Sequence, residues 1–571
     1  MMDEKALYQR WLELAVDDPD LHRELSEIAG REEEIFDRFY RELEFGTAGL
    51  RGVIGAGTNR MNIYTVRKAT QGLAMMLKER SDAPMVAISY DSRIKSDLFA
   101  REAARVLAGN GVKAWLYPEL MPTPALSFAV RELRCQAGIM VTASHNPAKY
   151  NGYKAYGADG CQLGTEESAR VLEHANSVDL FTGVKLADYD EALRTGMIEL
   201  IGEEVVQSFL DHVQAQAIRK GICERAGLKV VYTPLNGAGN RCVRSILDRI
   251  GVKDVVTVPE QEKPDGNFTT CPFPNPEIRE ALQKGLDLCE KENPSILLAT
   301  DPDCDRVGIA VNHHGEYILL TGNEVGVLLT HYIATSRTEL GTMPKDPIVV
   351  KTIVTTSMVN NMGEDLGIRV IDILTGFKYI GEQIALLEAK GEENRFLLGF
   401  EESYGYLSGT YVRDKDAVVA SMLICEMTAY YKEQGMTLVD ALQKLYEKYG
   451  VHKNVQSNFY CEGASGMQRM AELMGSLRTD PPKALAGLKV VAVADYETSV
   501  KKRVDGGETP ITLPKSNVLS YDLEGDCQVV IRPSGTEPKI KAYYMVKADT
   551  QQRADEIAQK LVADVTSLLG F

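Results

Sequence analysis

The stretch "ILLATDPDCDRVGIAV" places Asp301, Asp303 and Asp305 at alternate positions just beyond an apolar run. In an extended loop this spacing lets three carboxylates converge on one hard cation. Their oxygens suit Mg²⁺, which takes few carboxylates and keeps positions open for water or phosphate oxygen. An EF-hand fits poorly, because its glycine place is Arg306 and its closing glutamate place is Asn312. A D-x-D-x-[TV] phosphatase loop also fits poorly, since Asp305 stands in the Thr/Val place. A solvated acidic turn is the remaining alternative for this loop taken alone. Arg306, next to the acids, is placed to hold a phosphate.

Two further loops suit anionic sugars. "IRPSGTEPKIK" joins Arg532, Ser534, Gly535, Thr536 and Lys539, and a guanidinium fork, two hydroxyls and an open glycine backbone make a phosphate cradle. Pro-Ser-Gly-Thr is also ordinary turn chemistry. "LGFEESYGYLSGTYVRDKDAV" sets Glu401 and Ser403 two apart after a short apolar strand, with Arg413 and Lys415 following. A carboxylate and a hydroxyl on one side of a loop can grip neighbouring sugar hydroxyls; a mixed-charge surface loop is the alternative. "ILTGFKYIG" offers Thr375, Gly376 and Lys378 in similar style, and no GxxxxGK[ST] nucleotide loop occurs.

"CQAGIMVTASHNP" runs a buried strand into a turn, so the Ser144 hydroxyl emerges at the strand's carboxyl end, where open α/β sheets bind ligands. A Ser–His pair is the first thought, but adjacent side chains rarely align for proton transfer, and no G-x-S-x-G elbow surrounds the serine. A capping or turn serine remains open. A serine that carries a phosphoryl group beside a three-aspartate metal loop would connect all four loops.

The elements around these loops alternate. "MVAISYDSR", "LKVVYTPLNGAGNRCVRSILDRIG" and "PIVVKTIVTTSMVNNMGEDLG" each read as apolar strand, short loop and helix, which implies parallel α/β sheets covered on both faces. "DCQVVIRPSGTEPKIKAYYMVKA" and the preceding "LKVVAVADYET" read as antiparallel strands before a helix, an α+β unit. Helical periodicity covers about residues 5 to 43, with Leu7, Trp11, Leu12 and Leu14 on one face and Ile35, Phe36, Phe39 and Tyr40 on another. "EFGTAGLRGVIGAGTNRMN" then breaks the pattern with five glycines and two arginines, as suits a binding loop.

At 571 residues the chain exceeds one hydrophobic core. Its 44% hydrophobic and 25% charged residues describe an ordinary globular protein, and no apolar run is long enough for a membrane span. A net charge of −17 argues against nucleic acid or an anionic membrane as partner, so a small anionic substrate needs a locally basic cleft. The acidic helical start lacks a signal peptide's apolar segment. With ten scattered cysteines, it sets the expectation of a reducing cytoplasm.

Four motifs in order resemble the α-D-phosphohexomutases. "TASHNP" resembles that family's phosphoserine loop, "DPDCDR" its metal loop, "FEESYGY" its sugar loop and "RPSGTEPK" its C-terminal phosphate loop. The long helical start and "FGTAGLRGVIGAGTNRMN" are similar to the branch holding bacterial phosphoglucomutases and animal phosphopentomutase. The resemblance implies three similar mixed or parallel α/β domains plus an α+β domain around a central cleft. The expected division is a helical extension (1–40) and domains at 41–203, 204–320, 321–450 and 451–571.

It further implies an isomerase interconverting glucose 1-phosphate and glucose 6-phosphate, with one Mg²⁺ per chain and glucose 1,6-bisphosphate as intermediate and activator. Pentose or mannose phosphate are the alternative substrates, and a Mg²⁺-dependent phosphatase is the alternative chemistry. Ser144 would carry the phosphoryl group and share the metal with Asp301, Asp303 and Asp305. Arg306 and Arg51 would flank that phosphate. Thr375, Gly376, Glu401 and Ser403 would hold the sugar, and Arg532, Ser534, Gly535 and Thr536 its distal phosphate. His145, Lys154 and Lys415 are the general acid/base candidates. "FEESYGY" differs from the "GEMSGH" loop of phosphomannomutase-type relatives, so a role tied to that histidine does not transfer. The resemblance leaves monomer and dimer equally open.

Overall fold

The computed structural model describes residues 3–43, 49–461, 466–534 and 539–571. The chain divides into two compact units, Met1–Gly322 with Ile380–Thr437, and Asn323–Tyr379 with Leu438–Phe571.

The helical start of the first unit is three helices, Glu4–Leu14, Pro19–Glu27 and Glu32–Phe39. Asp3 and Asp18 cap the first two, accepting from the N–H groups of Ala6 and Asp20 at 2.7 and 3.0 Å. Trp11, Ile35 and Phe39 are buried as expected, whereas Leu14, Phe36 and Tyr40 are exposed. Ile35 and Phe39 lie four apart on the inward row, and Phe36 and Tyr40 occupy the next row out. Edge-on contacts of the Trp11 ring with Phe39, Tyr64 and Phe181 at 5.4–5.9 Å bind these helices to the first sheet's layer.

Two sheets follow one plan. In the first, the strands Ala137–Val141, Met85–Tyr90, Lys113–Leu116 and Ile198–Leu200 run parallel. Tyr150–Gly157 and Gly49–Val53 are added antiparallel at one edge. In the second, Ile296–Thr300, Lys229–Thr233 and Asp254–Thr257 are parallel, and Val307–His313 and Glu316–Leu320 are antiparallel. The central strands Ala137–Val141 and Ile296–Thr300 are buried throughout, which accounts for their unbroken apolar sequences. Each turns back through a short loop into its antiparallel neighbour, and those loops hold Ser144 and Asp301–Arg306. A third hairpin of the same unit pairs Phe396–Glu401 with Gly405–Leu407 and holds Ser403 at its turn.

In the second unit, Ile348–Thr352 pairs in parallel with Arg369–Ile373. A separate antiparallel sheet runs in the order Val451–Tyr460, Lys539–Ala548, Cys527–Pro533, Leu519–Leu523, Leu488–Asp495, Val500–Arg503 and Glu508–Pro510. The helix Gln551–Leu568 buries Ala554, Ile557, Ala558, Leu561 and Val565, an apolar stripe at helical spacing.

The helix Ala417–Glu433 of the first unit is buried on nearly every side, so water cannot satisfy its first N–H groups. Asp416 does so: Oδ1 accepts from Val418 at 2.7 Å and Val419 at 3.1 Å, and Oδ2 accepts from the Tyr411 hydroxyl at 2.6 Å. Burial pushes its carboxyl up to about 6 despite these three donors. The folded state therefore holds a proton that the unfolded chain loses near pH 4, and stability falls as pH rises from about 4 to about 6. Asp416→Asn keeps the cap without the charge. Relative to wild type it should gain up to about 3 kcal/mol between pH 4 and pH 7, the value of a shift of about two units. Urea unfolding of both proteins at the two pH values reads this directly, and parallel stability curves would contradict it.

Candidate active site

The first unit gathers most of the sequence-predicted site. Ser144 is 4% exposed and its backbone is left-handed, φ 51°. The Thr142 hydroxyl donates to Asp91 at 2.6 Å and accepts the Ser144 N–H at 2.8 Å, fixing the turn. The Ser144 hydroxyl donates to Asp301 Oδ2 at 2.9 Å. His145 Nδ1 lies 3.2 Å from Ser144 Oγ, so these adjacent side chains do converge, contrary to the general expectation. Burial, then the charges of Arg306 and Arg51, hold the His145 imidazole well below its ordinary range. Arg51 stands on the strand Gly49–Val53, opposite Gly152.

Asp301, Asp303 and Asp305 are buried, each offering an oxygen within 4.8 Å of the others. Asp301 Oδ1 accepts the N–H groups of Asp305 and Arg306 at 3.1 and 3.0 Å. Asp303 Oδ2 accepts from the Thr123 hydroxyl at 2.9 Å and Lys154 at 2.8 Å. Asp305 Oδ2 faces Lys415 at 3.1 Å and Lys154 at 3.7 Å. Asp303 Oδ1 and Asp305 Oδ1 are buried without a hydrogen-bond partner. Two orphaned carboxylate oxygens beside a third carboxylate are the donor set of a hard cation, so the triad fits a metal ion.

Electrostatics agree with that reading. Burial and the charges of Asp303 and Asp305 push the Asp301 carboxyl well above its ordinary range. Burial acts upward on Asp303 too, but the Lys154 ammonium outweighs it and holds that carboxyl low. Lys154 and Lys415 are raised despite burial, by Asp303 with Asp305 and by Asp305 with Asp414 respectively, and so remain charged. Arg306 Nη1 donates to Glu277 Oε1 and to the Ser403 carbonyl, each at 2.8 Å. The sugar-type loop docks on the metal loop, with the Val307 N–H donating to the Tyr404 carbonyl at 3.2 Å. Glu401, 8% exposed, adds negative charge beside Arg306 and Lys415.

In the second unit, Thr375 and Gly376 follow the strand Arg369–Ile373, and Gly376 takes φ 121°, open to glycine. Arg532 and Ser534 line a cavity of about 360 Å³ with Met467, Met470, Ser516 and Asn517. Gly535 and Thr536 lie outside the described residues, as do residues 44–48 of the glycine-rich loop. Sequence reasoning missed Arg93, Thr123, Glu277 and Asp414. Arg93 ends the strand-loop motif "YDSR" and carried a signal in its strand-end charge; Thr123 and Glu277 carried none.

The chain matches the models of phosphoglucomutase/phosphomannomutase alpha/beta/alpha domains I, II and III over residues 42–181, 207–315 and 321–449, and of the C-terminal domain over 478–564. It is 36% identical over 520 residues to a phosphoglucomutase of Staphylococcus haemolyticus, covering 91% of this chain and 93% of that one. With a phosphoglucomutase of Staphylococcus aureus (strain MSSA476) it shares 35% over 563 residues, 98% of each chain. Among solved structures it is similar in fold to a putative phosphomannomutase from Thermus thermophilus, with TM-score 0.69 and 24% identity over 93% of this chain and all of that one. It is also similar to parafusin, a phosphoglucomutase from Paramecium, with TM-score 0.65 and 16% identity over 93% and 95%. The matched domains and relatives define a four-domain α/β enzyme of the phosphotransferring isomerase class. The chain belongs to the phosphoglucomutase/phosphomannomutase family, the α-D-phosphohexomutases.

The stem of Lys415 crosses Gly405, where an added Cβ would lie 2.2 Å from Lys415 Cδ. Gly405→Ala should therefore lift Lys415 from Asp305 and cost about 1–3 kcal/mol, the usual range for overpacking. Denaturant titration checks this, and unchanged stability would show that the lysine stem has room to move.

Proposed function

We propose that this protein is a phosphoglucomutase, interconverting glucose 1-phosphate and glucose 6-phosphate through a phosphoserine at Ser144 and a glucose 1,6-bisphosphate intermediate. The observation that carries the reading is the Ser144 hydroxyl 2.9 Å from Asp301, in a buried aspartate triad with two orphaned oxygens. Relatives named phosphoglucomutase at 35–36% identity over nearly the whole chain support glucose as the sugar.

A sugar hydroxyl attacks the phosphoserine phosphorus; the new O–P bond forms as the P–Oγ bond breaks, the hydroxyl gives its proton to a general base, and Ser144 Oγ leaves and takes up a proton as the serine hydroxyl. The reverse exchange from the other end of the bisphosphate restores the phosphoserine, so phosphate is conserved. One Mg²⁺ held by Asp301, Asp303, Asp305 and the phosphoserine would neutralise charge on the transferring group. Arg306 and Arg51 flank that group as fixed positive charges. On distance His145 is the best placed of the three acid/base candidates for the serine oxygen, while Lys154 and Lys415 are engaged with the triad. Glu401 and Ser403 hold the sugar; on family resemblance alone, Thr375 and Gly376 join them and Arg532, Ser534, Gly535 and Thr536 take the distal phosphate. The same resemblance supports the five-part division at residues 40, 203, 320 and 450 and a cytoplasmic enzyme. No helix among the described residues is long and apolar enough to cross a membrane.

Phosphorus NMR of the protein with Mg²⁺, catalytic glucose 1,6-bisphosphate and equal glucose, mannose and ribose 1-phosphates tests the reading. Glucose 6-phosphate should appear first, and Ser144→Ala should slow it by at least about a thousandfold. Fastest conversion of ribose or mannose phosphate would replace the sugar, and release of inorganic phosphate alone would overturn the mutase reading. Mg²⁺ should raise the wild-type unfolding temperature by mass action, and Asp303→Asn should abolish the rise. Equal responses of both proteins in calorimetry would place the metal elsewhere.

A further inference from the structure

The Ser144 loop rests on a buried arginine. Arg93 is 2% exposed, and its Nη2 donates to the carbonyls of Ser144 and Asn146. Its Nη1 donates to those of Pro147 at 3.1 Å and Tyr150 at 2.9 Å. One guanidinium thus holds four carbonyls of the turn that presents the serine. Asp91 neutralises it, with Oδ2 3.3 Å from Arg93 Nε.

What backs Arg93 comes from the other sheet's layer. The Phe268 ring, fully buried, lies 5.0 Å from the guanidinium carbon, within cation–π range. Gly266 meets residues 92–94 backbone to backbone: an added Cβ would lie 2.7 Å from the Ile94 nitrogen and 2.8 Å from the Ser92 oxygen. The turn is rigid. Asp265 accepts the N–H groups of Asn267 and Thr269 at 2.9 and 3.0 Å, and the Thr270 hydroxyl donates to Asn236 at 3.1 Å. Phe268 itself sits at φ 47°, a costly conformation for a bulky residue.

The same segment continues to the metal loop. Pro276 abuts Gly308, where an added Cβ would lie 2.2 Å from the Pro276 carbonyl oxygen. The Glu277 N–H is fixed by Asn275 Oδ1 at 3.0 Å, and its Oε1 accepts from Arg306 at 2.8 Å. One irregular stretch therefore packs on Arg93, which holds the serine loop, at one end and on the metal loop at the other.

We propose that residues 265–277 are a brace that sets the distance between Ser144 and the aspartate triad, with Arg93, Phe268 and Glu277 as positioning residues. This rests on the mutase reading for its kinetic consequence only. In-line phosphoryl transfer is sensitive to misplacement of about 1 Å, which costs up to about a hundredfold in rate. Loosening either end of the brace should move both loops.

The test uses the full chain with Phe268→Leu, which removes the ring but keeps apolar bulk, Glu277→Ala, the conservative Glu277→Gln, and the double variant Phe268→Leu/Glu277→Ala. Hydrogen exchange is followed at the amides of residues 142–150 and 301–307, alongside kcat and KM for glucose 1-phosphate. Each single variant should speed exchange in both loops and lower kcat about tenfold with KM within about twofold. The double variant should lose far less than the product of the two, and Glu277→Gln should recover most of the rate. Exchange that rises only in the adjoining loop, rises uniformly with lost global stability, or rate losses that multiply would each overturn the brace. If cross-loop exchange appears in a protein without mutase activity, the functional reading fails while the brace stands.

Discussion

Three carboxylates confined in one buried space govern the rest of the architecture. With their oxygens inside 4.8 Å, each pair repels by about 3 kcal/mol or more at an effective dielectric near 20. Such a cluster persists only if surrounding groups offset it. Lys154 and Lys415 supply two positive charges, Thr123 and Ser144 supply hydroxyl donors, and the backbone N–H groups of Asp305 and Arg306 close on Asp301. Two oxygens are still left over, and a divalent cation is the simplest chemistry that completes them.

The strain of holding this arrangement is written into the backbone. Ser144, Cys304 and Tyr404 take φ values of 51°, 54° and 65°, one left-handed non-glycine residue in each of the three loops. Such conformations persist only where the surroundings over-determine them. Here they do, because each loop is a tight return between a buried strand and its antiparallel neighbour. The hairpins supply rigidity that a long connection would lack.

The grouping of Ile380–Thr437 with the first two sheets follows from the same demand. This segment brings Lys415 to Asp305 and docks the Tyr404 carbonyl on Val307. It also ties back through buried Arg413, whose backbone N–H donates to the Ser127 hydroxyl at 3.0 Å. The family's four-domain plan is thus compatible with a division in which part of the third matched region belongs to the serine and metal loops' own unit.

The sequence by itself determined the pieces. Apolar runs such as "AGIMV" and "ILLAT" read as buried strands, and Asp301-x-Asp303-x-Asp305 and the Ser144 turn stood out because charge and hydroxyl interrupt apolar patterns abruptly. The register of the helical start was less legible, since Phe36 and Tyr40 are as apolar as their buried neighbours and differ only in which row faces inward. What only the tertiary structure decided was which distant groups meet: Thr123 on Asp303, Glu277 on Arg306, Phe268 over Arg93. Glu277 and Phe268 sit in irregular backbone with no periodicity of its own, and Thr123 is only the first residue of the helix Thr123–Glu132. Their contacts come from how separate strands and helices pack, an energy that no local pattern records.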